Sequence, residues 1–337
     1  MAVDMLVVMG KAQISNGKIL INPVHTNCKK ENNVTLVNDF FLLGFQVSQN
    51  LRIFLFSLLL IFYCGTICGN LLIITLVSTS KNLHTPMYFF ISQLSISDIL
   101  LPSDIVPNLL YIQLSNGGRV SFFGCMTQTY LFCLAEGSEC LLLTVMSYDR
   151  YVAICNPLHY TSIMTSAFCL ILVVIIWFLS FFTSLIYIMI ISRLKFCGPN
   201  IIDHLFCDLV PLQNIACSDT FAMQFQMYLL SIPFLFIPNL IIVISYAKIV
   251  RAVLLISSNI SRQKAFSTCS SHLTVVSIFY LTIFGVYILP KSEQTSDINK
   301  VLSMLYTVFT PLVNPIIYSF RNKDIKKAAQ ETILKLL

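Results

Sequence analysis

The sequence predicts an all-α membrane protein: a seven-transmembrane helix bundle followed by a short amphipathic C-terminal helix. Three observations carry this reading. The chain is 56% hydrophobic and only 11% charged, with a mean hydropathy of +0.81, whereas a soluble protein carries about 25% charged residues. Seven apolar runs, each of about 20 residues or more, follow one another with no gap long enough for a soluble domain. The basic residues are scattered between those runs, so the net charge of +6 reflects membrane orientation rather than a nucleic-acid-binding patch.

Residues 1–51 read as a polar N-terminal tail. Its one apolar patch, Met5–Met9, is too short for a signal-peptide core and no basic residue precedes it, so no cleaved signal is expected. Asn33-Val34-Thr35 in the tail matches a glycosylation sequon. The seven spans lie at roughly 52–78, 87–112, 123–149, 167–192, 222–250, 266–289 and 301–320, within a bundle at 52–320. Lipid offers no hydrogen-bond partners to the backbone, so each span must satisfy its own amides and carbonyls as a helix. The longest connection, about 193–221, is rich in Cys, Asp and Pro. Residues 321–337 alternate basic and apolar residues at helical spacing and read as a cytoplasmic tail with a helix on the membrane surface.

Orientation follows from the Lys and Arg distribution. The loops after spans 1, 3 and 5 and the C-terminal tail contain Lys81, Arg150, Lys248, Arg251, Arg262, Lys264, Arg321, Lys323, Lys326, Lys327 and Lys335. The loops after spans 2, 4 and 6 contain only Arg119, Arg193, Lys195, Lys291 and Lys300. The expected topology therefore has an extracellular N-terminus and a cytoplasmic C-terminus. Asn33 then falls on the oxidising side, together with the loop cysteines Cys125, Cys197, Cys207 and Cys217, where disulfides can form. The second sequon, Asn259-Ile260-Ser261, falls on the other side, so at most one of the two is used. Cys64, Cys68, Cys133, Cys140 and Cys169 lie in apolar runs and are expected to be small buried side chains, and the lack of a CxxC pair argues against a zinc site.

Ionisable groups inside spans are costly and so are candidate functional residues. At about 1.5 Å rise per residue, Asp98 lies roughly 18 Å from Pro86, Glu139 roughly 16 Å from Arg150, and Asn70 roughly 16 Å from Lys81. The three share one depth. Two carboxylates there raise each other's affinity for a proton unless a cation joins them, so either a bound sodium ion or a protonated, water-filled polar cluster satisfies the chemistry. Glu136, one turn outward of Glu139, either lines a cavity or extends that cluster; its place nearer the extracellular mouth favours ligand contact. At the inner edge of span 3, Asp149-Arg150-Tyr151 is read as a breakable latch or as a simple stop signal. In span 7, Pro311 and Pro315 remove backbone donors; Asn314 is expected to rebond the freed carbonyls and Tyr318 to move where packing is relaxed.

Over about residues 30–327 the chain resembles the odorant (olfactory) receptors, a branch of the rhodopsin-like G-protein-coupled receptors. The resemblance rests on Gly69-Asn70, Leu83-His84-Thr85-Pro86-Met87-Tyr88, Leu94-Ser95-Ile96-Ser97-Asp98, the run from Met146 to Tyr160, and Phe206-Cys207-Asp208. It continues with Ser245-Tyr246, the span 6 entry from Lys264 to Leu273, and Asn314-Pro315-Ile316-Ile317-Tyr318. The resemblance implies a plasma-membrane receptor that binds a small volatile odorant in the outer half of the bundle. It also implies a stimulatory olfactory-type heterotrimeric G protein as partner and a rise in cyclic AMP. It implies disulfides Cys125–Cys207 and Cys197–Cys217, and a ligand set of Phe132, Cys133, Glu136, Gly137, Leu230, Ser231, Tyr280, Ile283, Tyr287 and Thr307. Asp149, Arg150, Tyr151, Tyr246, Asn314, Pro315 and Tyr318 become the coupling switch, with Tyr246 and Tyr318 as new partners for a released Arg150. Beyond a candidate sodium ion at Asp98 and Glu139, no cofactor is implied.

Two departures stand out. Leu281 replaces the glycine usual after Phe-Tyr in span 6, which puts pocket shape in question, and the tail is longer than the family norm, which leaves the use of residues 1–28 open. The alternatives are weaker. A retinal protein needs a mid-membrane lysine in span 7, but Lys300 stands at its outer end. A seven-helix transporter or channel would show paired halves or interrupted helices. An enzyme would need a motif such as HExxH or GxSxG, and neither occurs.

Overall fold

The computed structural model describes residues 12–15, 18–21, 38–196, 199–218, 221–255, 258–288 and 296–336. Seven of its helices are long and apolar enough to cross a membrane. They are α1 (Gln49–Thr79), α2 (Pro86–Ser115), α3 (Phe122–Cys155), α4 (Ser166–Ile191), α5, α6 (Asn259–Ile288) and α7. α5 runs through Phe221–Ser231, a π-helical turn Ile232–Phe236 and Ile237–Leu254; α7 runs through Ser296–Met304, a π-helical turn Leu305–Phe309 and Thr310–Arg321. A final helix, α8 (Lys323–Leu336), follows at the end of the bundle opposite the disulfide.

Local chemistry sets the ends. Pro86 opens α2, where its missing N–H costs nothing, and Asn116 closes it in the left-handed region at φ 57°. Ser121 caps α3 by accepting a hydrogen bond from Gly124 N at 3.1 Å, and Thr165 caps α4 through Phe168 N at 3.3 Å. Pro233 within the π turn of α5 and Pro238 just after it lack N–H groups and so interrupt the α-helical ladder there. α3 continues to Cys155, beyond the expected end near 149, and stops at Asn156-Pro157. Asp149 and Arg150 are therefore held inside a helix rather than at its last residue.

Burial sorts the helices. More than half of the apolar window of α2, α3 and α6 is buried, against 22% for α1 and 17% for α5, so the former fill the interior and the latter face lipid. On α3 the buried positions Cys125, Thr129, Phe132, Ala135, Glu139, Leu142 and Met146 recur every three or four residues, a single stripe turned inward.

The segment before α1 is more than a polar tail. β1 (Ala12–Ser15) and β2 (Lys18–Ile21) pair as an antiparallel hairpin. β3 (Asp39–Leu42) is the centre of a three-stranded sheet at the disulfide end, antiparallel to β4 (Gly118–Ser121) and parallel to β5 (Ile201–Ile202). Phe40 and Leu42 on alternate positions of β3 are fully buried, and Phe40 meets Phe196 edge-on at 5.1 Å. Gly44 then turns the chain at φ 66°, where a Cβ would stand 2.8 Å from Ile112 Cγ2. Cys125 and Cys207 form a disulfide, as expected. Cys217 is disulfide-bonded, and its expected partner Cys197 lies outside the described residues, as does Asn33.

Candidate functional site

Mid-membrane, four buried polar side chains from four helices converge: Asn70 on α1, Asp98 on α2, Glu139 on α3 and Asn314 on α7. Asn314 Nδ2 donates to both oxygens of Asp98, at 2.9 and 3.1 Å. The carbonyl of Pro311 is the one that Pro315, lacking an N–H, leaves without its helical donor. Asn70 Nδ2 fills that gap at 3.1 Å while also donating to Thr66 O at 3.0 Å. The expectation that Asn314 rebonds this carbonyl is thus corrected: Asn70 does so, and Asn314 is left free to hold Asp98. Gly69 explains how α1 comes close enough, since a Cβ there would lie 3.1 Å from Pro315 Cγ. Ser97 and Ser138, each one position before a carboxylate in sequence, join their hydroxyls at 2.9 Å, and Glu139 Oε1 is buried without a hydrogen-bond partner among the described residues. A cation here would have only two carboxylates, with amide and hydroxyl oxygens completing its shell, a donor set suited to a hard ion.

Toward α8, Arg150 is paired with Asp149, which is wholly buried, and the Tyr160 hydroxyl donates to Asp149 Oδ1 at 2.7 Å. Burial, reinforced by the Asp149 charge, holds the Tyr160 phenol above its ordinary range, so it stays a donor. Tyr246 is engaged elsewhere: its hydroxyl lies 2.6 Å from His272 Nδ1 and the two rings stack at 5.8 Å. Tyr318 is buried, with a hydroxyl that has no partner among the described residues. Lys248 sits over the Tyr151 ring at 5.3 Å.

Toward the disulfide, Phe132 packs against Phe206 at 5.5 Å and Tyr306 at 6.0 Å. Cys133 and Glu136 are half-buried, and Glu136 Oε1 has no hydrogen-bond partner among the described residues. Tyr280 and Ile283 are buried; the Tyr280 hydroxyl is likewise unpartnered. Thr307 spends its hydroxyl on Ser303 O at 2.7 Å, and Ser231 on Tyr228 O at 2.8 Å. Leu230 is half-buried on α5, and Gly137 faces Ser180 and Phe234 rather than α6 or α7. The Tyr287 side chain lies outside the described residues. A cavity of about 460 Å³ opens at this end, but between α1 and α7, walled by Leu55, Phe62, Val301, Leu305, Val308 and Phe309, and none of the ligand set lines it.

A sequence model of the olfactory receptors matches residues 57–336. The chain belongs to the olfactory receptor family. It is 43% identical over 305 residues to Olfactory receptor 1496 of Rattus norvegicus, covering 90% of this chain and 98% of that one. Olfactory receptor 1E2 of Gorilla gorilla gorilla is 43% identical over 303 residues, covering 90% and 96%. Olfactory receptor 5G9 of Mus musculus is 42% identical over 305 residues, covering 90% and 97%.

This olfactory receptor is an odorant-sensing G-protein-coupled receptor of the plasma membrane, not an enzyme, and the transporter alternative falls away. Sequence reasoning missed several residues that shape its disulfide end. Lys300, which the sequence presents as a loop charge, is only 3% exposed and pairs with Asp203 at 2.6 Å and Asp297 at 3.5 Å. His204 Nε2 meets Ser303 at 3.2 Å, and Gln128 Oε1 accepts from Cys207 N at 2.9 Å. Together they draw the loop carrying Phe206 down over Phe132. Leu281, the departure from the family pattern, is 72% exposed and so faces away from the interior.

Proposed function

We propose that this receptor binds a small volatile odorant beside Phe132, Glu136, Tyr280 and Ile283 and activates a stimulatory heterotrimeric G protein, raising cyclic AMP. The single observation that supports this is the continuity of α3, which carries Phe132 and Glu136 in one half and Asp149 and Arg150 in the other. Ligand and partner sites on one rigid helix can bias the same pair of bundle arrangements. The odorant must favour one arrangement, because equal affinity for both shifts nothing. The lysine and arginine distribution supports an extracellular N-terminus and a cytoplasmic C-terminus, with Asn33 as a glycan acceptor outside and the G protein meeting Arg150 inside.

The apolar and aromatic lining suits small hydrophobic ligands, and the Glu136 oxygen, unpartnered among the described residues, suits a hydrogen-bond donor or an amine. A cyclic AMP screen of a chemically diverse odorant panel, repeated with Glu136→Gln, tests this. Amine responses should fall about tenfold or more in potency, as loss of a charge-assisted contact implies, while apolar ligands keep theirs. An unchanged profile would remove Glu136 from the ligand site.

We read Asp98 and Glu139, both buried on facing helices, as a sodium site that favours the resting arrangement. Replacing Glu139 with Gln should abolish any dependence of odorant potency on external sodium at constant ionic strength. Persisting sodium dependence in that variant would count against the site.

A further inference from the structure

The α1–α7 cavity is separate from the odorant pocket and has a chemistry of its own. Its volume of about 460 Å³ falls within the roughly 300–1,000 Å³ range of small-molecule sites. From Asp297 to Phe309 the wall descends roughly 18 Å at the helical rise, a long slot rather than a bowl. The floor is aromatic, with the Phe62 and Phe309 rings 6.5 Å apart. Leu51, Val301 and Phe309 on its rim are exposed large apolar side chains on membrane spans, so the slot opens sideways toward hydrocarbon.

Polar chemistry is confined to one end. Gln46 and Asp297 stand at the top of the slot, where α1 and α7 begin. Asp297 is 85% exposed, and the nearby Lys300 is closer to Asp203, at 2.6 Å, than to Asp297, at 3.5 Å. A carboxylate at the mouth repels a phosphate headgroup and accepts from a hydroxyl or an ammonium. An apolar slot with an acceptor at its water end fits one chain with one donor head.

We propose that this cavity is a second ligand site, taking single-chain aliphatic alcohols or amines that reach it through the membrane leaflet nearest the disulfide. Its position gives it a route to the odorant pocket. The π turn Leu305–Phe309 places Leu305, Val308 and Phe309 on the slot, while Tyr306 and Thr307 are buried on the interior side and Tyr306 touches Phe132. A bound chain therefore abuts the turn whose other face supports the ligand set. Binding itself does not rest on the proposed odorant contacts, and the test reads binding alone.

The full-length receptor in phosphatidylcholine nanodiscs is irradiated with a photoreactive 1-decanol analogue bearing a diazirine on its chain, and the labelled peptides are mapped. Label is expected on 51–62 and 301–309, displaced by unlabelled 1-decanol. Val301→Trp fills the slot from its half-exposed rim and should lower labelling about tenfold, with Leu55→Trp as a second filling variant. Phe132→Ala should label normally. Label spread without competition over the lipid-facing sides of α1, α4 and α5 would mean partitioning only and would overturn the proposal. So would label confined to peptides holding Phe132 or Tyr280, or a slot labelled by a photoreactive phosphatidylcholine that 1-decanol does not displace.

Discussion

Exchanging Asp149 for Asn should raise ligand-free signalling, and exchanging Arg150 for Leu should silence the receptor while leaving it at the cell surface. Asp149 is fully buried and takes two donors, Arg150 and the Tyr160 hydroxyl at 2.7 Å. Asn keeps the shape but removes the charge that holds the guanidinium. Breaking a buried ion pair by removing one partner costs about 3–5 kcal/mol. Arg150 keeps some contact with solvent at 12% exposure, so its share of that cost is smaller. If about 1.4 kcal/mol of it falls on the resting arrangement alone, the active fraction rises about tenfold. Tyr318, whose hydroxyl is buried and unpartnered among the described residues, is the acceptor that a released Arg150 is expected to take. Tyr246 is held by His272, 2.6 Å away, and so is expected to be the later of the two partners. Tyr160→Phe removes one bond and no charge, and should give a smaller rise than Asp149→Asn. Cyclic AMP measured without odorant at matched surface density separates these outcomes. Normal odorant responses from Arg150→Leu would end the latch reading.

Much of this architecture was readable because membranes impose few solutions. Seven apolar runs had to be helices, and the inward stripe of α3 follows from its three-and-four spacing. The meeting of Asp98 and Glu139 at one depth with Asn70 followed from helical rise alone. What depth could not give was pairing. Asn70 and Asn314 are both amides at the same level, and only the approach of α1 at Gly69 decides that Asn70 takes the Pro311 carbonyl and Asn314 takes Asp98. Long-range pairing also hid β3: Phe40 and Leu42 alternate as a strand should, but four residues in a polar tail gain meaning only when β4 and β5 flank them. Lys300 reads as an ordinary loop charge until Asp203, nearly a hundred positions earlier, is folded onto it. The α1–α7 slot has no motif at all, because a cavity is the space that several unremarkable side chains leave.

Removing the disulfide should cost more than removing any other tie at this end of the receptor. Cys125 and Cys207 are 82 positions apart, and closing a loop of that size is worth at most about 4.5 kcal/mol by chain entropy. Helices already threaded through a bilayer restrict the open chain, so the actual figure lies lower, toward about 2–3 kcal/mol. The other ties are weaker individually: a neutral hydrogen bond such as Gln128 to Cys207 N contributes about 1 kcal/mol. The part-exposed Lys300–Asp203 pair contributes a comparable amount, since Asp203 is 50% exposed. Cys125→Ser and Cys207→Ser should therefore each remove most receptor from the cell surface, while Lys300→Met leaves most in place and weakens odorant potency. The loop in question also flanks β3 through β5 and sets Phe206 on Phe132, so its release should expose Phe40 and Leu42 and open the proposed ligand region together. Antibody labelling of intact cells, with total receptor measured in parallel, reads the first effect; dose–response curves on the surviving Lys300→Met receptor read the second. A Cys125→Ser receptor with full surface density and unaltered odorant potency would show that the strands and hydrogen bonds hold the loop without the covalent link.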